Sequence, residues 1–340
     1  MISEPVRSYA PRLLVLLGIF LSFGAFADNG ELWVVYEGSE GPGNGKHIVL
    51  VSGDEEYRSE EALPMLGKIL AVRHGFKCTV LFAIDPTTGE IDPENQTNIP
   101  GLHLLETADL MILFTRFREL PDKDMKHIID YTNSGKPIIG LRTATHAFNY
   151  TRNLNSPYAK YDFESEDFKS GYGKQVLGET WVNHHGEHGR EATRGLVDGL
   201  MMEHPILEGV GDIFGPTDVY GIEDLTGDAQ VLVHGQVLVG MNQWDVPKPY
   251  TPLMPLAWIK SYTGETGNTA RVFCTTMGAS VDFESEGLRR LLVNASYWGL
   301  EMEDEIEDDS SVEFVGKYNP TFYGFGTHVR GMKPGDHALE

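Results

Sequence analysis

The segment Asp109-Leu-Met-Ile-Leu-Phe-Thr115 constrains the fold more than any other stretch of the chain. Every interior position is apolar. A half-buried strand alternates polar and apolar residues, so an unbroken run of this kind is covered on both faces. His47-Ile-Val-Leu-Val-Ser52, Cys78-Thr-Val-Leu-Phe82 and Pro137-Ile-Ile-Gly-Leu141 are of the same type. Helical patterns lie between them. Glu60 to His74 carries Leu63, Leu66, Ile69 and Leu70 at helical spacing and stops at Gly75. Asp122 to Asn133 begins after Pro121 and ends before Gly135, the usual Pro-first, Gly-last asymmetry. Buried strands separated by helices predict an α/β fold, a mostly parallel, doubly wound sheet with helices on both faces. Further strands are expected at 230–239, 255–259 and 271–275, and a closing helix at 286–298.

The chain has 340 residues. Residues 1–27 read as a signal peptide. Arg7 and Arg12 precede an apolar run from Leu13 to Phe26, and Ala25-Phe26-Ala27 offers a small-x-small cleavage site. The run is short for a membrane span, which needs roughly 20 apolar residues. The expectation is an exported protein, periplasmic or extracellular, with no membrane association after cleavage. Residues 28–46 then form a lead-in, 47–300 the α/β domain, and 301–340 a tail that is first acidic and then rich in Gly and aromatic residues.

The formal net charge is −23. Such a surface repels phosphate backbones and anionic lipid heads, so nucleic acid is excluded as a partner class. A neutral small molecule fits better. The two cysteines, Cys78 and Cys274, fall inside expected strands. They are expected to be buried free thiols, not a bridge and not nucleophiles. Gly41 to Lys46 has some of the spacing of a phosphate loop. Yet Glu40 stands where that loop needs Gly, His47 stands where it needs Ser or Thr, and the glycines precede a strand.

In an open parallel sheet, ligands bind beyond the carboxyl ends of the strands. Three stretches occupy that place: Gly53-Asp54-Glu55-Glu56-Tyr57-Arg58, Arg116-Phe117-Arg118 and Arg142-Thr143-Ala144-Thr145-His146. Gly140-Leu141-Arg142 sits at the strand-to-helix turn where a nucleophile elbow would lie. Arginine stays protonated and cannot attack. Thr143 could attack only with a base such as His146 beside it. Arg142 suits the binding of a carbonyl or an oxyanion. Arg58, Arg116 and Arg142 are expected to converge, with Glu55 and Glu56 as partners. Either they form a salt-bridge network that orders the loops, or they line a polar pocket in which a carboxylate moves protons.

Trp181-Val-Asn-His184-His185-Gly186-Glu187-His188-Gly189 packs three histidines into five residues. They could be acid/base or sugar-binding groups, structural residues, or metal ligands. A divalent metal would use His184 with His185 or His188 and a third ligand from elsewhere, Asp218 being a candidate; the primary expectation is no cofactor. Asp218-Val-Tyr220 on a loop suits hydroxyl recognition. Trp244, Trp258 and Tyr262 are expected to pack in the core.

Taken together, these motifs resemble the ThuA-like family, named for trehalose utilisation. The resemblance runs from about Gly45 to Glu301. It includes Gly53 to Glu61, Gly140-Leu-Arg-Thr-Ala-Thr-His-Ala-Phe148, His184-His185-Gly186, His204-Pro205-Ile206, Asp218-Val-Tyr220, Pro255-Leu-Ala-Trp258, Arg271 to Gly278 and Trp298-Gly299. The tail from Tyr318 to Gly326 resembles that of exported members from environmental bacteria. The resemblance implies a class I glutamine amidotransferase-like fold and a link to carbohydrate breakdown, with 3-keto sugars made by partner dehydrogenases as substrates. Arg142 takes the place of that superfamily's cysteine nucleophile, where many ThuA-like proteins carry His. The chain is therefore not expected to be a functional glutamine amidotransferase. The expected catalytic groups are Arg142, His146, His184 and Glu56. Substrate-binding groups are expected at Glu55, Tyr57, Arg58, Arg116, Thr143, His185, Asp218 and Tyr220. A lyase, a hydrolase, an isomerase or a non-catalytic sugar-binding module all remain open.

Overall fold

A computed structural model describes Met1, residues 32–38 and residues 40–339. The signal-peptide expectation lies outside the described residues. The chain divides into residues 1–30 and 31–340, and the fold is that of the second unit. Among the described residues no helix is long and apolar enough to cross a membrane.

The fold is α/β, built on one ten-stranded mixed sheet. Five strands form its parallel part: β2 (His47–Gly53), β3 (Lys77–Leu81), β4 (Leu110–Thr115), β5 (Ile138–Leu141) and β10 (Thr269–Thr275). Their order is β3-β2-β4-β5-β10. The first of these strands in sequence lies inside, so the winding reverses between β2 and β4, the place where such sheets open a crevice. Side chains alternate across β2. Ile48 and Leu50 join the core under α1 (Ser59–His74) and α3 (Glu286–Gly299). Val49 and Val51 join the core under α2 (Asp122–Asn133). Both faces of this part are therefore covered, as its unbroken apolar runs require.

The remaining strands correct the expectation of a mostly parallel sheet. β1 (Trp33–Tyr36) lies inside the segment read as a lead-in and pairs antiparallel with β3. On the other side β9 (Met254–Thr263), β8 (Gln230–Val237), β6 (Thr193–Val197) and β7 (Ile213–Gly215) extend the sheet with antiparallel pairings only. The burial of β8 explains the change. It alternates between buried and partly exposed positions over its last half, the pattern of a sheet with one open face.

α1 ends in a left-handed Gly75 (φ 81°). The Gly75 amide reaches back to Ala71 O and the Phe76 amide to Leu70 O, 3.1 Å each, the first being the bond of an αL cap. The aromatic tail folds over α1. Thr321 binds Glu61 through its amide (2.7 Å) and hydroxyl (2.6 Å), and Tyr36 donates to His337 O at 2.8 Å. A helix covered this way needs apolar residues around most of its girth. Cys78 and Cys274 are free and buried. Trp258 is fully buried and donates to Leu177 O at 2.7 Å. Trp244 departs from the core-packing expectation, because it stands on an exposed loop, 85% accessible.

Candidate functional site

The loops after β2, β4 and β5 meet at the reversal of winding. Arg142 is the first residue after β5 and holds a left-handed backbone, φ 44°. That conformation is uncommon for a residue with a side chain and marks a sharp elbow. The side chain points inward and is fully buried. Nη1 donates to the carbonyls of Asp218 (2.7 Å) and Thr276 (2.6 Å), and Nη2 to Asp218 Oδ1 (3.3 Å). Tyr57 and Tyr220 cover its two faces, each ring centroid 4.2 Å from the guanidinium carbon. Arg142 thus reaches a ligand only through what it holds, which is Asp218.

Asp218 is buried and gives one oxygen to each of two histidines. His184 Nδ1 donates to Oδ2 at 2.7 Å, and His188 Nδ1 donates to Oδ1 at 2.9 Å. Burial alone would raise the Asp218 carboxyl. Arg142 and the two imidazole hydrogen bonds outweigh it and hold the group well below the usual carboxylate range. An ionised carboxylate only accepts, so each Nδ1 carries its proton. When neutral, His184 therefore presents a lone pair on Nε2. The two imidazoles lie 4.7 Å apart, and their side chains are 36% and 34% exposed.

His188 differs from His184. Its Nε2 lies 3.3 Å from Glu56 Oε1. Hydrogen bonds to Asp218 and Glu56 push its pKa up to about 9, so at neutral pH it is an imidazolium. Glu56 also lies 3.5 Å from Arg116 Nε. His146, four residues past Arg142, goes the other way. Burial, then the charges of Arg116, Arg142 and His184, push its pKa well below the usual value. Thr145 donates its hydroxyl proton to Arg142 O (3.2 Å), and His146 Nδ1 lies 3.1 Å from the same hydroxyl. The ring must then donate from Nδ1, which leaves Nε2 as an acceptor.

Aromatic rings wall this face. His146 touches Phe117 (5.1 Å), Trp181 (5.7 Å) and Tyr220 (5.9 Å). Trp181 and Tyr220 also flank His184, at 5.7 and 5.8 Å. The tail supplies the opposite wall. Tyr323 lies 5.3 Å from the rings of both His188 and Tyr57, and Phe325 covers the Arg116 guanidinium at 5.0 Å. The Gly324 amide donates to Glu56 O at 2.8 Å, which ties the tail down between them.

The other expected residues are placed as follows. Glu55 is buried and paired with Arg116 and Arg118. Arg58 does not join them. It is fully buried and donates to Gly324 O and Thr327 Oγ1, under the tail. Thr143 donates to the buried carboxylate of Asp54, which also takes the amides of Glu56 and Tyr57. His185 faces Pro252 O (2.8 Å), away from the pair. A metal would accordingly use His188 instead of His185: one ligand atom each from His184, His188 and Asp218 lies within 4.8 Å of the others. Tyr323, Phe325 and Asp54 are site residues that the motif reading did not single out. The aromatic run 318–325 was the available signal for the first two.

No family model and no curated protein matches the sequence. Two solved structures of proteins described as ThuA-like resemble it over most of its length. The one from Parabacteroides merdae is 14% identical, with a TM-score of 0.48, over 75% of this chain and 90% of that one. The one from Bacteroides uniformis is 15% identical, with a TM-score of 0.47, over 77% and 94%. The chain is similar to ThuA-like proteins.

Proposed function

We propose that this protein is an exported carbohydrate-active enzyme that moves protons on an oxidised, 3-keto sugar or glycoside without a covalent nucleophile. One observation carries the reading. Asp218, backed by Arg142, fixes two imidazoles so that one offers a lone pair and the other, held between Asp218 and Glu56, a positive charge, on a solvent-facing surface walled by aromatic rings. A keto group acidifies the neighbouring C–H. His184 Nε2 abstracts that proton, and the His188 imidazolium and Arg116 stabilise the enolate oxygen. Trp181 and Tyr323 offer faces for the sugar ring. Cysteine chemistry has no support. Burial pushes both thiols far up, and Arg142 stands at the elbow of what we take to be a glutamine amidotransferase-like arrangement.

The test is incubation in heavy water with a panel of glycosides and their 3-keto derivatives, followed by mass spectrometry. The wild-type chain is expected to place deuterium next to the keto group or to cleave the glycoside, and His184→Ala is expected to do neither. Equal reaction by both proteins would remove His184 from its role. No reaction across the panel would favour a sugar-binding module.

The clustering of His184, His188 and Asp218 favours a second reading, a metal-dependent hydrolase. Two imidazoles and one carboxylate suit zinc, and Glu56 behind His188 Nε2 is the usual orienting partner of a ligating histidine. Metal analysis of the unchelated protein, repeated on His184→Ala, separates the two. Stoichiometric metal lost in the variant supports the hydrolase.

A further inference from the structure

A cavity of about 220 Å³ lies between α1 and the C-terminal tail. It has room for roughly seven waters, or for one small ring compound. Met65, Ile91, Val329 and Met332 make its walls apolar. Polar side chains, Lys68, Lys317 and His337 among them, also line it, and two of the polar lining groups have a buried atom without a partner. Glu60 is only 6% exposed, and its Oε2 has no hydrogen-bond partner among the described residues. His328 Nδ1 is likewise buried and without a partner among them. Glu60 Oε1 is engaged, at 3.5 Å from Arg58 Nη1. Burial pushes the Glu60 carboxyl up to about 8, so near neutral pH it can donate as well as accept. A buried polar atom left unsatisfied costs more than a typical hydrogen bond returns, so two orphan groups lining one roomy space call for an occupant.

We propose that this cavity is a second binding site, for a small, mainly apolar molecule with one hydroxyl or amine head that hydrogen-bonds Glu60 Oε2. Apolar walls take the body of the ligand, and a hydroxyl or amine satisfies the Glu60 carboxyl. The site is separate from the His184–His188 face and does not depend on the chemistry assigned there. It is nevertheless joined to that face. Arg58 links Glu60 to Gly324 O and Thr327 Oγ1, and the same stretch of tail places Tyr323 and Phe325 beside the histidines. A ligand on Glu60 therefore acts on the strap that walls the candidate active site.

The probes are benzyl alcohol, benzylamine and toluene, titrated into the full chain and followed by ligand-observed NMR. Benzyl alcohol or benzylamine is expected to bind at least tenfold more tightly than toluene. Glu60→Gln, whose amide both donates and accepts, keeps benzyl alcohol binding, and Glu60→Leu abolishes the preference for a polar head. Met332→Trp, which fills the cavity while leaving Glu60 unsubstituted, abolishes binding of all three. Hydrogen exchange with bound probe is expected to slow over residues 317–332 and not over 184–188. Equal binding of the three probes, no binding, binding unchanged in Met332→Trp, or protection at 184–188 would each overturn the proposal.

Discussion

Two buried acid–arginine clusters stand side by side at the same edge of the sheet, and they differ in one respect. In the first, Arg116 and Arg118 occupy the two oxygens of Glu55. Arg118 then donates onward to the carbonyls of Pro93 and Asn95, 2.9 Å each, and of Arg116, 2.6 Å. Of these three side chains only Arg116 reaches solvent, where it borders the site beside Glu56; Glu55 and Arg118 bind one loop to another. In the second, Arg142 takes one side of Asp218, but the outer partners are His184 and His188. Histidine has a second nitrogen. That nitrogen carries the influence of the buried pair out to the surface. The composition of the two clusters is similar; the outer ring of partners separates a brace from a site.

The largest effects are expected where that outer ring is broken. His184→Ala is expected to lower kcat by about 10²–10⁴, the usual worth of a positioned acid or base. The readout is initial rate on whichever panel member reacts. Asp218→Asn is expected to match it in rate, because an amide no longer selects the Nδ1 proton on both rings. It also leaves the Arg142 charge buried and unpaired. A stability loss of about 3–5 kcal/mol follows for that variant, measurable by urea denaturation. A rate defect in His184→Ala without loss of stability separates chemistry from scaffold.

Arg118→Met breaks the closed cluster, and the expectation reverses. Stability falls by about 3 kcal/mol as Glu55 loses a fully buried partner, while the rate per folded molecule stays within a few-fold. A hundredfold rate loss in this variant would erase the distinction between brace and site.

The next effect is one of pH. The folded pKa of His188, about 9, lies above its ordinary value of 6.5. The proton is bound more tightly in the folded state, so its contribution to stability is complete below about pH 6.5 and is lost as pH rises through about 9. The ring is partly open to solvent, which screens the pair and limits the contribution to about 1–2 kcal/mol. The stability gap between wild type and His188→Gln is therefore expected to narrow from pH 6 to pH 10. A gap that widens would show His188 to be held neutral. The smallest effect is expected at the rim, where Phe325→Ala removes one face from Arg116. It should raise KM a few-fold, about 1 kcal/mol of cation–π contact, with kcat unchanged.

The parallel part of the sheet was legible because its strands are apolar on both faces and its helices carry their own stops. α2 begins and ends where Pro121 and Gly135 predict, at Asp122 and Asn133. The antiparallel extension was not. β6 and β7 are short, five and three residues, and they sit in a loop-rich stretch whose Gly and polar content hides a period of two. β1 has only four residues to signal it. Within the site, the elbow at Arg142 and the gathering of His184 and His188 on Asp218 could be named from spacing and residue type. The burial of Arg142 could not, since two tyrosines from distant segments provide it. Nor could the pairing of His188 with Glu56, which depends on a contact across 132 residues of chain.

The direct test of the account is the nitrogen NMR spectrum of the imidazoles at neutral pH, assigned through His184→Ala and His188→Gln. The account predicts that His188 is doubly protonated and that His184, in its neutral form, carries its proton on Nδ1 with a bare Nε2. A neutral His188, or a His184 protonated on Nε2 with Nδ1 bare, would contradict it, because Asp218 would then not be accepting from both rings.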